Sequence, residues 1–150
     1  MATIRNRVLF LCTGNYYRSR YAEELFNHLA RRSGLNWEAD SRALAIEQGT
    51  SNVGPMAKPS LEALATDGVA TVAALRFPLP CTVEDLSKAD IVIAMKEGEH
   101  RDLLTNRFSG WEDRVKYWHV ADLDRAEPSE ALGILRSLVC ALVRDLSDSP

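Results

Sequence analysis

The sequence predicts an α/β fold in which a parallel sheet is covered by helices on both faces. Two apolar runs, at Val8–Leu11 and within Asp90–Met95, lack the alternation of a half-exposed strand. Segments with helical spacing separate the strands, and such alternation forms right-handed crossovers onto a parallel sheet. With 150 residues, 46% of them hydrophobic, the chain is expected to form one compact domain over residues 1–150.

The first half of the chain alternates between strands and helices. Arg7–Cys12 is predicted as a buried strand, and a helix follows over Arg18–Arg32, where apolar residues recur at helical spacing. Trp37–Leu44 alternates as a second strand. A loop rich in Gly, Ser and Asn covers residues 46–59, and Ser60–Asp67 is predicted as the second helix.

The second half contains two more strands and a long final helix. Two prolines break residues 69–83, so no regular element is predicted there. Asp90–Met95 is the third strand, His100–Leu104 a short helix, and Val115–Val120 the fourth strand. The last helix begins at Pro128. Its apolar stripe consists of Leu132, Leu135, Val139, Leu142 and Leu146.

Composition and charge argue against several functional classes. A net charge of −3 and a pI near 5.6 disfavour nucleic-acid binding, and no basic run predicts a membrane surface. No apolar segment reaches the roughly 20 residues that span a bilayer, and no signal peptide is recognised. Cys12, Cys81 and Cys140 are too widely spaced for a disulfide framework or a metal-binding pair. We expect a soluble, cytoplasmic monomer with no metal and no cofactor.

The segment between the first strand and the first helix carries the most specific functional signal. It reads Cys12-Thr13-Gly14-Asn15-Tyr16-Tyr17-Arg18-Ser19. Ligands of parallel sheets bind beyond the carboxyl ends of the strands, which is where Cys12 lies. Gly14 allows a positive φ and Asn15 tolerates one. The amides of this loop are therefore expected to form an anion-binding nest at the positive end of the helix dipole.

The side chains around this nest are suited to a phosphate. Arg18 offers a permanently charged fork that matches phosphate geometry. The dipoles of the loop also stabilise a thiolate, and the hydroxyl of Ser19 can donate a hydrogen bond to the sulfur of Cys12. The sequence thus predicts a nucleophile beneath a bound phosphoryl group. A cysteine that only packs is the competing interpretation, whereas a nucleotide-binding loop is disfavoured because no Gly-Lys-Ser/Thr follows.

Residues 12–19 resemble the phosphate-binding signature of the low-molecular-weight protein tyrosine phosphatases, whose superfamily also contains thioredoxin-coupled arsenate reductases. The resemblance covers nearly the whole chain: Asn52–Pro55 is similar to the loop before the family's second helix and Asp90–Met95 to its third strand. It implies a four-stranded parallel sheet. It also implies the following site residues: Cys12 as nucleophile, Thr13, Gly14, Asn15, Tyr16, Tyr17 and Arg18 around the phosphate, and Ser19 beside the thiolate.

The resemblance further implies a general acid after the fourth strand. The family carries an aspartate there, usually followed by proline and an aromatic residue, and this chain reads Asp122-Leu123-Asp124. Asp122 takes the position of the acid, and Asp124 is the alternative because the missing proline leaves the register open. Such a carboxylic acid protonates the leaving oxygen and afterwards activates water. A solvated loop in which neither carboxylate is catalytic is the remaining interpretation.

The same loop favours one substrate class. In the family that the loop resembles, the residue at the position of Tyr16 lines the pocket wall, and a bulky residue there suits a flat phosphoaryl ring. The resemblance therefore implies phosphotyrosine on a protein as the substrate, with phosphate and other oxyanions as inhibitors. Arsenate reduction is disfavoured because Met95 stands where a resolving cysteine ends the third strand of the arsenate-reducing relatives. Tyr17 replaces a second cysteine that many relatives carry. A non-catalytic module that binds phosphate or a phosphopeptide is the alternative function, since the acid loop is altered.

Overall fold

The computed structural model describes residues 5–71, 76–123 and 125–148, and its sheet has four parallel strands in the order β2-β1-β3-β4. The strands are β1 (Asn6–Cys12), β2 (Trp37–Ala43), β3 (Ile91–Ala94) and β4 (Lys116–Tyr117). Within the described residues the α-helices are α1 (Arg18–Ser33), α2 (Lys58–Thr66), α3 (Val83–Lys88), α4 (Glu97–Arg107) and α5 (Pro128–Asp148). The predicted fold class is confirmed.

Both faces of the sheet are covered, which explains the unbroken apolar run in β1. Successive residues of a strand point to opposite faces. Val8 and Phe10 belong to the cluster that includes residues of α1 and α5, whereas Leu9 and Leu11 pack with residues of α3 and α4. None of the described helices is long and apolar enough to cross a membrane.

Helix α1 begins directly after the loop that carries the predicted site. Its buried face includes Ala22, Leu25 and Phe26, at the helical spacing seen in the sequence. Gly34 ends the helix in the left-handed region, with φ of 66°, and its N–H group is directed to the last carbonyls. The predicted end of this helix is confirmed, and its beginning fixes Arg18 at the edge of the sheet.

The fourth strand is shorter than predicted. Only Lys116–Tyr117 form a regular ladder with β3, whereas a strand over Val115–Val120 was expected. The chain nevertheless stays beside β3, because the Trp118 amide donates to the Ala94 carbonyl (2.9 Å) and the chain then forms an isolated antiparallel bridge. The departure from the ladder turns the chain towards the carboxyl edge of the sheet and leads into the acid loop.

The helices of the second half also differ from the prediction. Helix α3 lies in a segment for which no helix was predicted. It is capped by Thr82 and Asp85, which exchange side-chain and backbone hydrogen bonds in a capping box. Helix α4 extends beyond the predicted His100–Leu104 on both sides, and α2 begins at Lys58 rather than Ser60. The predicted loop 46–59 contains a short 3-10 helix over Ile46–Gly49.

Residues 76–82 form a strap beside the end of β2. The Ala43 amide donates to the Leu79 carbonyl (2.8 Å), and the Cys81 amide donates to the Ala43 carbonyl (2.8 Å). Pro80 forms only an isolated bridge, because a proline lacks the N–H group that would continue a ladder. This strap brings Arg76 underneath the loop between β1 and α1.

Candidate active site

The loop between β1 and α1 lies at the carboxyl edge of the sheet, below a cavity of about 200 Å³. The cavity is lined by Cys12, Thr13, Gly14, Tyr16, Tyr17, Arg18, Gln48, Gly49, Asn52, Asp122 and Leu123. It therefore brings together the predicted nucleophile, the predicted phosphate clamp and Asp122. Asp124, the alternative acid, lies outside the described residues.

Asn15 holds the loop in a left-handed backbone conformation, with φ of 53°. Its Nδ2 donates to Ser19 Oγ and to Ser41 Oγ, both at 2.8 Å. Its Oδ1 accepts from Arg76 Nη1 (3.0 Å) and from the Leu79 amide (3.1 Å). The side chain is fully buried, so these hydrogen bonds stabilise a conformation that would otherwise be strained.

Gly14 serves a different purpose from the one predicted. The φ angle of Gly14 is not positive, so the positive φ expected there is wrong. Asn15 is the residue of this loop that adopts a positive φ. A Cβ atom at Gly14 would lie 3.3 Å from Asn52 Nδ2, and one at Gly49 would lie 2.6 Å from the same atom. The absence of a side chain at both glycines lets the Asn52 amide fit between the loop and the 3-10 helix.

The sulfur of Cys12 lies at the floor of the cavity. The residue is 2% exposed, and its Sγ is 3.0 Å from Ser19 Oγ. Because Ser19 Oγ already accepts a hydrogen bond from Asn15, its own hydrogen is free to point to the sulfur. The chain Asn15–Ser19–Cys12 thus directs a donor at Cys12, an arrangement that suits an ionised sulfur.

The guanidinium group of Arg18 is buried and held from one side. Nη1 donates to the Val120 carbonyl (2.9 Å), and Nη1 and Nη2 both donate to Glu99, at 3.2 and 2.6 Å. Its buried Nε has no hydrogen-bond partner in the part of the chain that the structure describes. Burial lowers the pKa of Arg18, but the hydrogen bond to Glu99 and neighbouring negative charges outweigh burial and raise it. The cation therefore keeps a donor for an oxyanion.

Glu99, in the first turn of α4, is a site residue that the sequence did not indicate. It accepts hydrogen bonds from Arg18 and from the Thr13 hydroxyl, and its Oε2 is 3.0 Å from His100 Nε2. Burial raises the pKa of this carboxyl, but hydrogen bonds from His100, Arg18 and Thr13 outweigh burial and hold the pKa well below its ordinary range. An ionised Glu99 is thus a fixed counter-ion behind Arg18.

His100 orients this counter-ion. The Lys96 amide donates to His100 Nδ1 at 3.1 Å, so the hydrogen of the neutral ring lies on Nε2 and points to Glu99. Burial lowers the pKa of His100, and the neutral form is favoured although Glu99 works against this shift. The imidazole therefore acts as a neutral donor in this network.

Asp122 lies at the mouth of the cavity. Its Oδ2 is 3.4 Å from Arg18 Nη2, and its Oδ1 accepts from the Leu123 amide at 2.8 Å. The side chain is 38% exposed. Asp122 is therefore accessible to a substrate while it remains close to the guanidinium group.

The two tyrosines of the loop differ in their surroundings. Tyr16 lines the wall of the cavity and donates its phenol hydrogen to the Val53 carbonyl at 2.6 Å. Tyr17 is almost fully buried, and Ser60 Oγ donates to its carbonyl at 3.0 Å. Two aromatic residues, the partly buried Tyr16 and the buried Tyr17, thus line the cavity.

A charged cluster supports the loop from below. Arg76 Nη2 lies 3.1 Å from Glu23 Oε1 and 3.2 Å from Asp40 Oδ1. Glu23 also accepts from Ser41 Oγ at 2.5 Å, so the cluster is continuous with the hydrogen bonds of Asn15. Burial raises the pKa of Glu23 and lowers the pKa of Arg76. The sequence did not indicate Arg76, because it lies in a segment with no predicted element and no motif.

The rest of the described chain offers little support for a metal site or a second nucleophilic cysteine. Within residues 5–71, 76–123 and 125–148, no three His, Cys, Asp or Glu side chains are grouped so that they could hold a metal ion. Cys12, Cys81 and Cys140 are all free. Burial raises the pKa of Cys81 to about 12, so this second thiol is a poor nucleophile at neutral pH.

Fold and site together define an α/β protein with a thiol and an arginine lining a small cavity at the carboxyl edge of the sheet. A family model described as low molecular weight phosphotyrosine protein phosphatase matches residues 7–134. The chain belongs to this family, which confirms the resemblance seen in residues 12–19. Membership supports phosphatase activity.

Known proteins with similar sequences and structures agree with this assignment. The protein-arginine-phosphatase of Bacillus subtilis (strain 168) is 32% identical over 108 residues, covering 72% of this chain and 67% of that protein. A low molecular weight protein tyrosine phosphatase from T. tengcongensis has a TM-score of 0.78 and 26% identity, covering 93% of this chain and 99% of that chain. A solution structure of another from Bacillus subtilis has a TM-score of 0.75 and 27% identity, covering 95% and 98%.

Proposed function

We propose that this chain is a protein tyrosine phosphatase that works through a cysteinyl-phosphate intermediate. The observation that carries the proposal is that one cavity is lined by Cys12, by Asp122 and by Arg18, whose Nε has no hydrogen-bond partner among the described residues. A nucleophile, an oxyanion clamp and a proton donor are the groups that metal-independent hydrolysis of a phosphate monoester requires.

In the first step, the loop amides and Arg18 bind the phosphoryl oxygens and place phosphorus above Cys12. The thiolate attacks in line, so a sulfur–phosphorus bond forms while the bond to the ester oxygen breaks. Asp122 gives its proton to the leaving oxygen, which departs as an alcohol or phenol. Arg18 Nε and Nη2 stabilise the negative charge on the equatorial oxygens.

In the second step, water replaces the alcohol. The Asp122 carboxylate takes a proton from the water as its oxygen attacks phosphorus, and the sulfur–phosphorus bond breaks. The products are inorganic phosphate and the thiolate of Cys12. Asp122 is again protonated, so the cycle consumes one water and needs no cofactor. Phosphate and related oxyanions are expected to inhibit, because they bind the same donors.

Phosphotyrosine is the proposed substrate because the cavity wall is aromatic. Tyr16 is fixed by its bond to Val53, so its ring forms a preformed flat surface beside the mouth. Leu123, which lines the same cavity and is 43% exposed, offers an apolar contact near Asp122. Phosphoarginine is the competing substrate, since the Bacillus subtilis relative is a protein-arginine-phosphatase.

A nucleophilic thiol needs reducing surroundings, which supports the cytoplasm as the location.

The first experiment measures turnover of p-nitrophenyl phosphate in EDTA by the wild type and three variants. Cys12→Ser is expected to abolish multiple turnovers, and the slower of Asp122→Asn and Asp124→Asn identifies the acid. A folded wild type that binds phosphate without turnover would favour a phosphate-binding module instead.

A second measurement decides the substrate class. The ratio of kcat/KM is compared for one peptide carrying phosphotyrosine and the same peptide carrying phosphoarginine. A ratio above one supports the proposal, and Tyr16→Thr is expected to lower it because the flat wall is removed. A preference of the wild type for phosphoarginine would contradict the proposed specificity while leaving the phosphatase intact.

A further inference from the structure

The hydroxyl of Tyr17 is buried and has no hydrogen-bond partner among the described residues. The side chain is only 4% exposed. A second buried tyrosine on the same helix behaves differently, because the Tyr21 hydroxyl bonds Asp67 at 3.2 Å. Leaving a buried hydroxyl unsatisfied costs stability, and such a cost in a native fold points to a function for the group.

The surroundings of Tyr17 connect it with the proposed chemistry. The residue lines the same cavity as Cys12 and Asp122. Burial, and then the charge of Asp122, raise the pKa of Tyr17, while Arg18 lowers it to a smaller extent. The phenol therefore keeps its proton and lies within the electrostatic reach of both the acid and the guanidinium group. It is a neutral donor beside Asp122.

The contact of Asp122 with Arg18 involves a nitrogen that a bound phosphoryl group would also use. In the structure its Oδ2 is 3.4 Å from Arg18 Nη2, and its other oxygen is bonded by the Leu123 amide. A phosphate that takes the Nε and Nη2 donors of Arg18 draws this nitrogen away from the carboxyl group. Asp122 then needs another donor to keep its orientation towards the leaving oxygen.

We propose that Tyr17 is the positioning residue for Asp122: its hydroxyl donates a hydrogen bond to this carboxyl group when a phosphoryl group occupies Arg18. The inference rests on the proposed function. No bond is made or broken at the phenol, which orients the acid and remains protonated. The hydroxyl, which has no partner among the described residues, is thus available to donate to Asp122 once a phosphoryl group is bound.

Tyr17→Phe tests this role, with Tyr21→Phe as the matched control. The first variant removes an unpartnered hydroxyl, so its thermal midpoint is expected to equal or exceed that of the wild type. Its kcat/KM for phenyl phosphate is expected to fall by on the order of tenfold, because a misplaced acid slows departure of a poor leaving group. The loss should be smaller for p-nitrophenyl phosphate. Inhibition by phosphate should be unchanged, and Tyr21→Phe should retain wild-type kcat/KM.

A double-mutant cycle shows whether Tyr17 acts through Asp122. In the Asp122→Asn background, Tyr17→Phe is expected to have no further effect, since the group that it positions is gone. Equal factors in both backgrounds would overturn the inference. So would a parallel fall of thermal midpoint, phosphate affinity and activity, which indicates a structural role only.

The two proposals fail in distinguishable ways. An active wild type whose Tyr17→Phe variant keeps full kcat/KM for phenyl phosphate overturns the role of Tyr17 alone. A folded wild type without turnover overturns the proposed function, and the inference with it.

Discussion

Arg18 and Arg76 support the same loop from opposite sides, but they differ in what they leave unsatisfied. The two Nη atoms of Arg76 bond Asn15, Glu23, Asp40 and Ser41. Arg18 donates hydrogen bonds to Glu99 and Val120 and lies 3.4 Å from Asp122, and its buried Nε has no partner within the described residues. The lower side of the loop is therefore held by several side-chain hydrogen bonds, while on the upper side the Nε of Arg18 remains available to a ligand. Such preorganisation lets the upper side stabilise charge without rearranging.

The largest effect is expected when the fork of Arg18 is replaced. Arg18→Lys keeps a positive charge that can pair with Glu99, so the free energy of unfolding should change little. The ammonium cannot offer the Nε and Nη2 pair to two phosphate oxygens, so kcat/KM for p-nitrophenyl phosphate should fall by roughly 10²–10³-fold. Steady-state kinetics and urea unfolding check the two halves of this prediction. A lysine variant with near wild-type kcat/KM would show that fork geometry is unimportant.

Two substitutions of Asn15 separate the contribution of its backbone conformation to stability from the contribution of its side-chain hydrogen bonds. Asn15→Ala loses the buried amide and places an alanine at φ of 53°, so unfolding should become easier by about 3 kcal/mol. Asn15→Gly keeps the backbone conformation and loses only the amide, so it should be less destabilised than the alanine variant. Urea unfolding of both variants measures the difference. Equal stabilities would mean that the left-handed conformation costs the alanine nothing.

Arg76 should affect stability more than chemistry. Arg76→Gln keeps a donor for Asn15 but leaves Glu23 and Asp40 without this cation, so we expect a loss of about 2 kcal/mol in unfolding free energy. Because Arg76 does not line the cavity, kcat/KM should fall only several-fold, on the scale of a slightly loosened loop. If Arg76→Gln lowered kcat/KM more than Arg18→Lys does, Arg76 would matter more for activity than Arg18, contrary to this prediction.

Replacing Glu99 is expected to have the smallest effect on the free energy of unfolding, and this effect should depend on pH. Its folded pKa lies below the ordinary value of 4.5 seen in unfolded chains, so the folded state binds fewer protons and gains stability above that value. The stability advantage of the wild type over Glu99→Gln should be present at pH 7, on the order of 1 kcal/mol. It should shrink as the pH falls below 4.5. Urea unfolding at pH 7 and near pH 3 checks this, and an advantage that grows in acid would show the opposite linkage.

The sequence predicted those parts of the site that local pattern determines. A strand that ends at Cys12 and a helix that begins at Arg18 follow from apolar spacing, and the loop between them carries the family signature. Asp122 was found only because the resemblance supplied its position after the fourth strand. The capping box at Thr82 was also present in the sequence, and recognising it would have predicted α3.

The rest depends on contacts between distant segments. Glu99 has the pattern of an ordinary acidic residue in the first turn of a helix, and nothing local shows that Arg18 will meet it. Arg76 lies in a proline-broken segment whose path depends on its pairing with β2. A positive φ was expected at Gly14, but the structure instead shows that a side chain there would come close to Asn52. Such features need the folded structure, because they join residues that local periodicity does not connect.

The central place of β1 in the sheet has a consequence for protein synthesis. β1 leaves the ribosome before the other strands, yet it ends between β2 and β3. A nascent chain that ends before β3 has one unpaired edge on β1, and its Arg18 lacks Glu99, Val120 and Asp122. Cys12 and Arg18 are thus made early, but the residues that hold Arg18 and the proposed acid arrive only with the later part of the chain. We therefore expect the complete site to form late in translation, when β3 and the residues after it pair with the central strand.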